Sequence, residues 1–373
     1  MVFCFVIVIT ITSPLAAQPP SALAERIQAV MSRPEFAHSN FGIEFFDVQT
    51  GQVLHALNAD KLFVPASTTK LLTEGAVLVK LGGDFRFHTF VYRTGPIDKH
   101  GTLKGDVVLV ASGDPNLSNR IQPDGTLAFI DHDHTYQGPA LPGNPLAVLR
   151  EMAKAIASKG VRTIEGDVYV DTSLMPDSER EGGTDIVLSS IIVNDNVVDL
   201  TGKPGAKVGD PISITISPET GYVHFVNKLV TGAADSKSSL DTSDPVTQPD
   251  GSIEVRLTGS IPLGGETQTG AYAVPSPTKF ATFALRRCIA DVGIQIKLGK
   301  SSAPPDFAAF KKFYTSDNVV AEHTSPPMSE DVKITLKVSH NLHASMGQYF
   351  LGLYVAKASK DVLNADSSRK TNF

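Results

Sequence analysis

Cysteine is nearly missing: the 373 residues contain two, and Cys4 lies in an apolar leader expected to be removed. The mature chain then holds Cys288 alone, so an internal disulfide is excluded and stability has to come from burial. Long basic clusters are lacking as well, with 33 Lys and Arg against 39 Asp and Glu for a formal charge of −6. Nucleic-acid binding draws its affinity from clustered positive charge and is set aside on that ground. No apolar run is long enough for a membrane span, since Val2 to Ile11 falls short of the roughly twenty residues required. Gly-x-Ser-x-Gly and His-Glu-x-x-His are both absent, which removes the nucleophile elbow and the helical zinc-protease signature. Apolar residues at 42% and charged residues at 19% leave a globular class rather than a disordered or collagenous one.

What is present begins with the leader. Residues 1–17 run from the apolar stretch through Ser13-Pro14 to small residues before Gln18, the pattern of a secretory signal, although the first basic residue is Arg26 and a basic n-region is missing. Export is expected. Ala22 to Met31 reads as a short helix, and residues 41–46 and 53–57 read as a hairpin around Gln49-Thr50-Gly51. Leu72, Ala76 and Val79 then recur at i, i+4, i+7, predicting a buried helix with a polar start at Ser67-Thr68-Thr69-Lys70 and an end at Gly82-Gly83.

From about Thr94 to Ala303 short β-like runs alternate with Gly-, Pro- and Ser-rich turns, and Gly105-Asp106-Val107 is weakly echoed by Gly166-Asp167-Val168. Two helices interrupt this region, with faces Leu149, Met152, Ala153, Ile156 and Phe280, Ala284, Cys288, Val292, ending at Gly160 and Gly293. Cys288 is thereby a core residue rather than a nucleophile. Residues 232–249 and Asp131-His132-Asp133-His134 read as exposed polar loops, the latter in preference to a pair of metal-ligating imidazoles. Gly299-Lys300-Ser301 is no phosphate loop, because Ile294 stands where its first glycine belongs. Beyond Pro304-Pro305, Met328, Val332, Leu336 and Leu342, Met346, Phe350, Tyr354 mark two helices that meet near Ser339.

Ser67 and Lys70 stand three apart at a helix start, where both project from one face. A lysine able to lose its proton there can activate the hydroxyl. The spacing alone is weak, since Ser276 with Lys279 and Ser367 with Lys370 share it, but only Ser67 combines it with a preceding hairpin and a following apolar helix. That is the setting of the S-x-x-K nucleophile in penicillin-recognising enzymes. Two segments spell the Ser-x-Asn that accompanies it. Ser316-Asp317-Asn318 enters an extended run, whereas Ser339-His340-Asn341 sits between two helices and is expected to face Ser67.

With these residues the chain resembles the serine D-alanyl-D-alanine carboxypeptidase/endopeptidases of the class C low-molecular-mass penicillin-binding proteins. The resemblance runs from about Ala22 to Ala356. It rests on Pro65-Ala66-Ser67-Thr68-Thr69-Lys70, Ala111-Ser112-Gly113-Asp114-Pro115, Val193-Asn194-Asp195-Asn196, Ser325-Pro326-Pro327-Met328-Ser329 and Lys337-Val338-Ser339-His340-Asn341-Leu342-His343-Ala344. It implies an α+β transpeptidase-like fold, helices with an antiparallel sheet, carrying a large β-rich insertion. The expected organisation is a signal at 1–17, catalytic parts at 18–93 and 304–373, and the insertion at 94–303.

The implied activity is attack by Ser67 on a peptidoglycan peptide ending in D-Ala-D-Ala, with Lys70 as proton acceptor, Ser339 passing the proton to the leaving amine, and Asn341 holding the substrate backbone or Lys70. No cofactor or metal is implied, β-lactams are implied as inhibitors, and the place is the periplasm or outside. His340 stands where the family has Asp or Gln, at a position whose side chain normally points away. One element of the resemblance is missing. Lys-Thr-Gly is not spelled, and Lys370-Thr371-Asn372 ends in Asn where close substrate approach favours Gly. The chain is therefore expected to lack the closing strands of its catalytic sheet and to hydrolyse poorly as written. The competing readings are a β-lactamase and a non-catalytic wall-binding protein.

Overall fold

The computed structural model describes residues 22–135, 140–297 and 305–355. The leader, Gly299-Lys300-Ser301 and Lys370-Thr371-Asn372 lie outside them. By internal contacts the chain divides into Met1–Ala66 and Ser67–Phe373. In the first unit, α1 (Ala22–Met31) precedes β1 (Ile43–Asp47) and β2 (Gln52–Leu57). The two strands pair antiparallel with a bulge at Phe45/Phe46. Gly51 closes the hairpin at φ +71, a conformation that glycine adopts freely, while Asp47 Oδ1 accepts from the Gln49 and Thr50 N–H groups.

The second unit opens with α2 (Thr69–Leu81), β3 (His88–Arg93), β4 (Thr102–Leu103), β5 (Val107–Val110), α3 (Ala147–Ser158), β6 (Thr163–Ile164) and β7 (Val168–Asp171). The Gly-Asp-Val echo is structural: β5 and β7 pair in parallel with Val107 facing Val168 and Leu109 facing Val170. Thr102 of β4 likewise faces Thr163 of β6. Lys104 Nζ reaches Glu165 Oε2 at 2.6 Å across the same offset of 61 residues. Two copies of one segment thus lie side by side in register.

Next come β8 (Val197–Lys203), β9 (Ser213–Ser217), β10 (Val223–Asn227), β11 (Val230–Gly232), β12 (Ser239–Thr242), β13 (Val246–Thr247), β14 (Ile253–Pro262), β15 (Gln268–Ala273), α4 (Pro277–Asp291) and β16 (Gln295–Ile296). Strand β14 pairs in parallel with β10 and β11 and antiparallel with β12 and β13. Residues 232–249 are mostly exposed, but they are not a plain loop: β12 and β13 lie within them. Their Ser- and Asp-rich composition conceals edge strands whose pairing comes from the backbone of β14.

The chain closes with α5 (Phe307–Phe310), β17 (Val319–Thr324), α6 (Met328–Val338) and α7 (Asn341–Phe350). Strand β17 returns to β3, giving a mixed sheet ordered β17-β3-β5-β7 in which only β5 and β7 run parallel. One core packs Leu149, Met152 and Ile156 of α3 and Phe280, Ala284 and Cys288 of α4 against β5 and β7. A second joins Val77 of α2 to Met328 and Val332 of α6 and to Leu342, Met346 and Phe350 of α7.

Helix α2 corrects its sequence reading. Leu72 and Val79 are 76% and 80% exposed, and the buried residues are Glu74 and Val77. The face turned inward runs Lys70, Glu74, Val77, so an acid occupies a position that periodicity reserves for an apolar residue.

Candidate active site

Ser67 lies in a 3-10 turn, Ala66–Thr68, just ahead of α2, and is exposed. Lys70, in the first turn of α2, places Nζ 3.2 Å from Ser67 Oγ. The same Nζ donates to Ser339 O at 2.9 Å, Ser339 Oγ at 3.0 Å and Asn341 Oδ1 at 2.5 Å. The four predicted residues therefore meet at one ammonium. Asn318, by contrast, donates to Phe313 O and Thr315 Oγ1 in the turn before β17. Ser276 caps α4, accepting from the Lys279 N–H and donating to Asp177 Oδ2, and Ser367 lies outside the described residues.

The α6–α7 junction explains how Ser339 shows two oxygens to one lysine. Ser339 ends α6 in the left-handed region at φ 58, ψ 42, where its N–H caps Thr335 O. Asn341 then opens α7, and His340 between them is fully buried. His340 Nδ1 accepts from the His343 N–H as the helix N-cap, which leaves the proton on Nε2, facing Asp195 Oδ2 at 3.4 Å. Burial, and then the charge on His343, pulls the His340 pKa down to about 3, so the ring is neutral. Burial also opposes charge on His343, but Asp331 and Asp195 outweigh it and raise that pKa to about 9. Its Nδ1 donates to Asp331 Oδ1 at 2.8 Å and its Nε2 to Asp195 Oδ1 at 3.2 Å.

Around Asp195 a buried network has formed that the sequence did not announce. Arg120 Nη2 donates to Asp195 Oδ2 at 2.5 Å and Nη1 to Asp133. His134 bridges Asp195 Oδ2 at 2.7 Å and Asp199 Oδ1 at 2.8 Å, and despite burial these two carboxylates raise its pKa to about 10. Arg120 holds Asp195 ionised well below the usual range against the cost of burial. The exposed loop expected at 131–134 is thus half wrong: Asp131 and His132 are exposed, while Asp133 and His134 are buried because Arg120 and Asp195 await them.

Two groups, Asp195 with His340 and His343, and Asp133 with His134 and Asp195, bring donor atoms within 4.8 Å of one another. Asp195 is occupied by Arg120, His134, His340 and His343, while Asp133 Oδ1 has no hydrogen-bond partner; with one guanidinium and two imidazoles held protonated among them, the donor sets fit an internal ion network better than a metal centre.

Glu74 is a further residue that sequence reasoning missed. It is 2% exposed one turn along α2 from Lys70, and its Oε1 has no hydrogen-bond partner. Burial first, and then Asp331, raises its pKa to about 8 against the pull of His343 and Lys70. Asn341 is approached from the other side by the loop at 180–185. A Cβ on Gly183 would sit 2.5 Å from Asn341 Nδ2, and the same loop with Thr135 lines a cavity of about 570 Å³.

A hydroxyl, an amine, a second hydroxyl and an amide thus share one hydrogen-bonded centre, and the helix and sheet arrangement around it has counterparts among solved structures. The structure of penicillin binding protein 4 (DacB) from Haemophilus influenzae superposes with a TM-score of 0.61 over 89% of this chain and 69% of that one, at 18% identity. Its complex with a β-lactam gives 0.58, over 90% and 68%, also at 18%. The profile of the D-Ala-D-Ala carboxypeptidase 3 (S13) family matches residues 23–362, and the chain belongs to that family. The D-alanyl-D-alanine carboxypeptidase of Actinomadura sp. (strain R39) is 28% identical over 342 residues, covering 87% of this chain and 56% of the relative. The DacB carboxypeptidase of Haemophilus influenzae is 21% identical over 312 residues, covering 81% and 57%. The chain therefore spans a little over half the length of these relatives.

Proposed function

We propose that the protein carrying this chain is a serine-type D-Ala-D-Ala carboxypeptidase/endopeptidase acting on peptidoglycan peptides. The observation that carries the reading is Lys70 Nζ standing within hydrogen-bond reach of Ser67 Oγ, Ser339 Oγ and Asn341 Oδ1 together. Ser67 Oγ adds to the carbonyl carbon of the penultimate D-alanine as its proton passes to the free-base form of Lys70. The tetrahedral intermediate collapses with cleavage of the C–N bond, and the departing D-alanine amine takes a proton relayed from Lys70 through Ser339 Oγ. Water then hydrolyses the ester and restores Ser67. The Ser67 N–H serves as one oxyanion donor, and Asn341 orients Lys70 and the substrate backbone. A β-lactam opens by the same attack but keeps its leaving nitrogen tethered, so the acyl-enzyme persists.

In this reading residues 18–93 and 304–373 are the two parts of the catalytic domain, 94–303 the insertion and 1–17 a cleaved signal. The apolar leader supports export to the cell envelope, and no helix among the described residues is long and apolar enough to cross a membrane. Labelled penicillin tests the proposal. Stable label mapped by mass spectrometry to Ser67 and lost in Ser67→Ala is expected. Rapid turnover of the label would make the protein a β-lactamase, and no label at all would make it a non-catalytic wall-binding protein.

A further inference from the structure

The segment Asn194-Asp195-Asn196 holds three successive left-handed residues, at φ 47, 51 and 57. Such a run persists only where its surroundings over-determine it. Asn196 Oδ1 accepts from the Val193 N–H while its Nδ2 donates to Val187 O and Ile191 O. Asn194 Nδ2 donates to Val197 O and Asp199 Oδ2. The flanking amides thus lock a turn whose result is the placement of one carboxylate. That carboxylate meets Arg120, His134, His340 and His343 together. The last two bracket Asn341, and His340 is bonded through the backbone to both Ser339 and Asn341.

We propose that Asp195 is a positioning residue: backed by Arg120, it fixes His340 and His343 so that Ser339 Oγ and Asn341 Oδ1 are held on Lys70, which gives residues 94–303 a task in the chemistry. The inference rests on the function proposed above and extends it. His343 tightens the same junction from the other side through Asp331, which accepts in turn from Asn116 Nδ2 at 2.9 Å. Residues drawn from 94–303 and from beyond 304 therefore close one bonded ring behind the loop that carries Ser339. The hydrogen bonds of these side chains converge on His340 and His343, so their effect on the reaction passes through Ser339 and Asn341.

The chemistry supplies a readout that a general loosening of the fold would not move. An amide leaving group must be protonated as it departs, whereas a thiolate need not be. If Asp195 holds Ser339 in place to deliver that proton, Asp195→Asn slows turnover of a D-Ala-D-Ala peptide far more than turnover of a thioester with the same acyl group. The full protein is assayed on both substrates. The expected result is a fall of at least tenfold in the ratio of amide to thioester kcat/KM, which reads acylation alone because both substrates give the same acyl-enzyme, with a smaller fall in the same direction for His343→Gln, a milder change that serves if Asp195→Asn does not fold. Equal losses on both substrates, or no loss in either variant, would overturn the inference while leaving the proposed function intact. A wild-type protein that neither labels nor turns over either substrate would overturn both. A stoichiometric metal ion retained by wild type and lost in Asp195→Asn would assign the cluster to metal binding and also refute the positioning role.

Discussion

Glu74 places a carboxyl group where α2 meets the core, without a hydrogen-bond partner for Oε1. Its pKa in the folded protein, about 8, lies above the ordinary 4.5. The folded state therefore holds the proton over a range where the unfolded chain has released it, and stability falls as pH rises from about 4.5 to 8. Glu74→Gln removes that slope. At pH 5 the variant and the parent are expected to melt within about 2 °C of each other, and at pH 9 the variant should melt higher by several degrees, at roughly 2–4 °C per kcal/mol. Calorimetry at the two pH values decides it, and a variant less stable at pH 9 would show that the carboxylate is stabilising. Cys288 makes a second residue-scale case. It is buried in α4 with its pKa pushed up to about 12 by desolvation, so thiolate chemistry is shut off while the fold is intact. Iodoacetamide at pH 8 should leave it unmodified in the native protein and alkylate it in urea, as peptide mapping would report.

At the scale of elements, the α6–α7 junction carries a pH dependence of its own. His340 is depressed to about 3, so its contribution is present above the ordinary value of 6.5 and lost as pH falls. His343 is raised to about 9, so its contribution is present below 6.5 and lost as pH rises. The two together are whole only near pH 6.5. His340→Asn, which can still cap α7, is expected to lose less stability than the parent between pH 6.5 and 4.5, and His343→Gln less between 6.5 and 9. Parallel slopes in parent and variants would contradict the assignment.

The elements also divide by how readable they were. Helices α3, α4, α6 and α7 follow from the i+4 spacing of Leu149 to Ala153, Phe280 to Ala284, Met328 to Val332 and Leu342 to Met346, because each buries those residues in an apolar cluster, although Leu336, on the face expected for α6, is exposed. Helix α2 does not follow, since its inward face is set by Lys70 and Glu74, and periodicity weighs only apolar residues. The meeting of Ser67, Lys70, Ser339 and Asn341 at one point was legible because local spacing and helix ends mark these residues. Arg120, His134 and Asp195 have meaning only in one another's company, which no single stretch of sequence displays.

Across the whole second unit, the most regular feature is the pairing of two like segments 61 residues apart. Their glycines permit it: a Cβ on Gly166 would lie 2.4 Å from Gly105 O, a clash with backbone that cannot be relieved by a rotamer change. Gly166→Ala is expected to cost about 1–3 kcal/mol, as overpacking does, while Lys104→Ala, which removes a solvent-exposed ion pair, should leave the urea midpoint nearly unchanged. Urea titrations of both variants check the contrast, and similar midpoints for the two would rule out backbone contact as the reason for glycine.

Lys70 and Ser339 are 269 residues apart. At about 5–20 residues per second, a ribosome needs roughly 13–54 s to go from one to the other. Through that interval a nascent chain owns the Ser67 hydroxyl and its lysine, but neither the loop that orients the lysine nor the histidines behind it. On the function proposed above, the reaction of Ser67 is therefore withheld until synthesis has passed Asn341, and the growing polypeptide travels with an ordinary alcohol in place of a nucleophile.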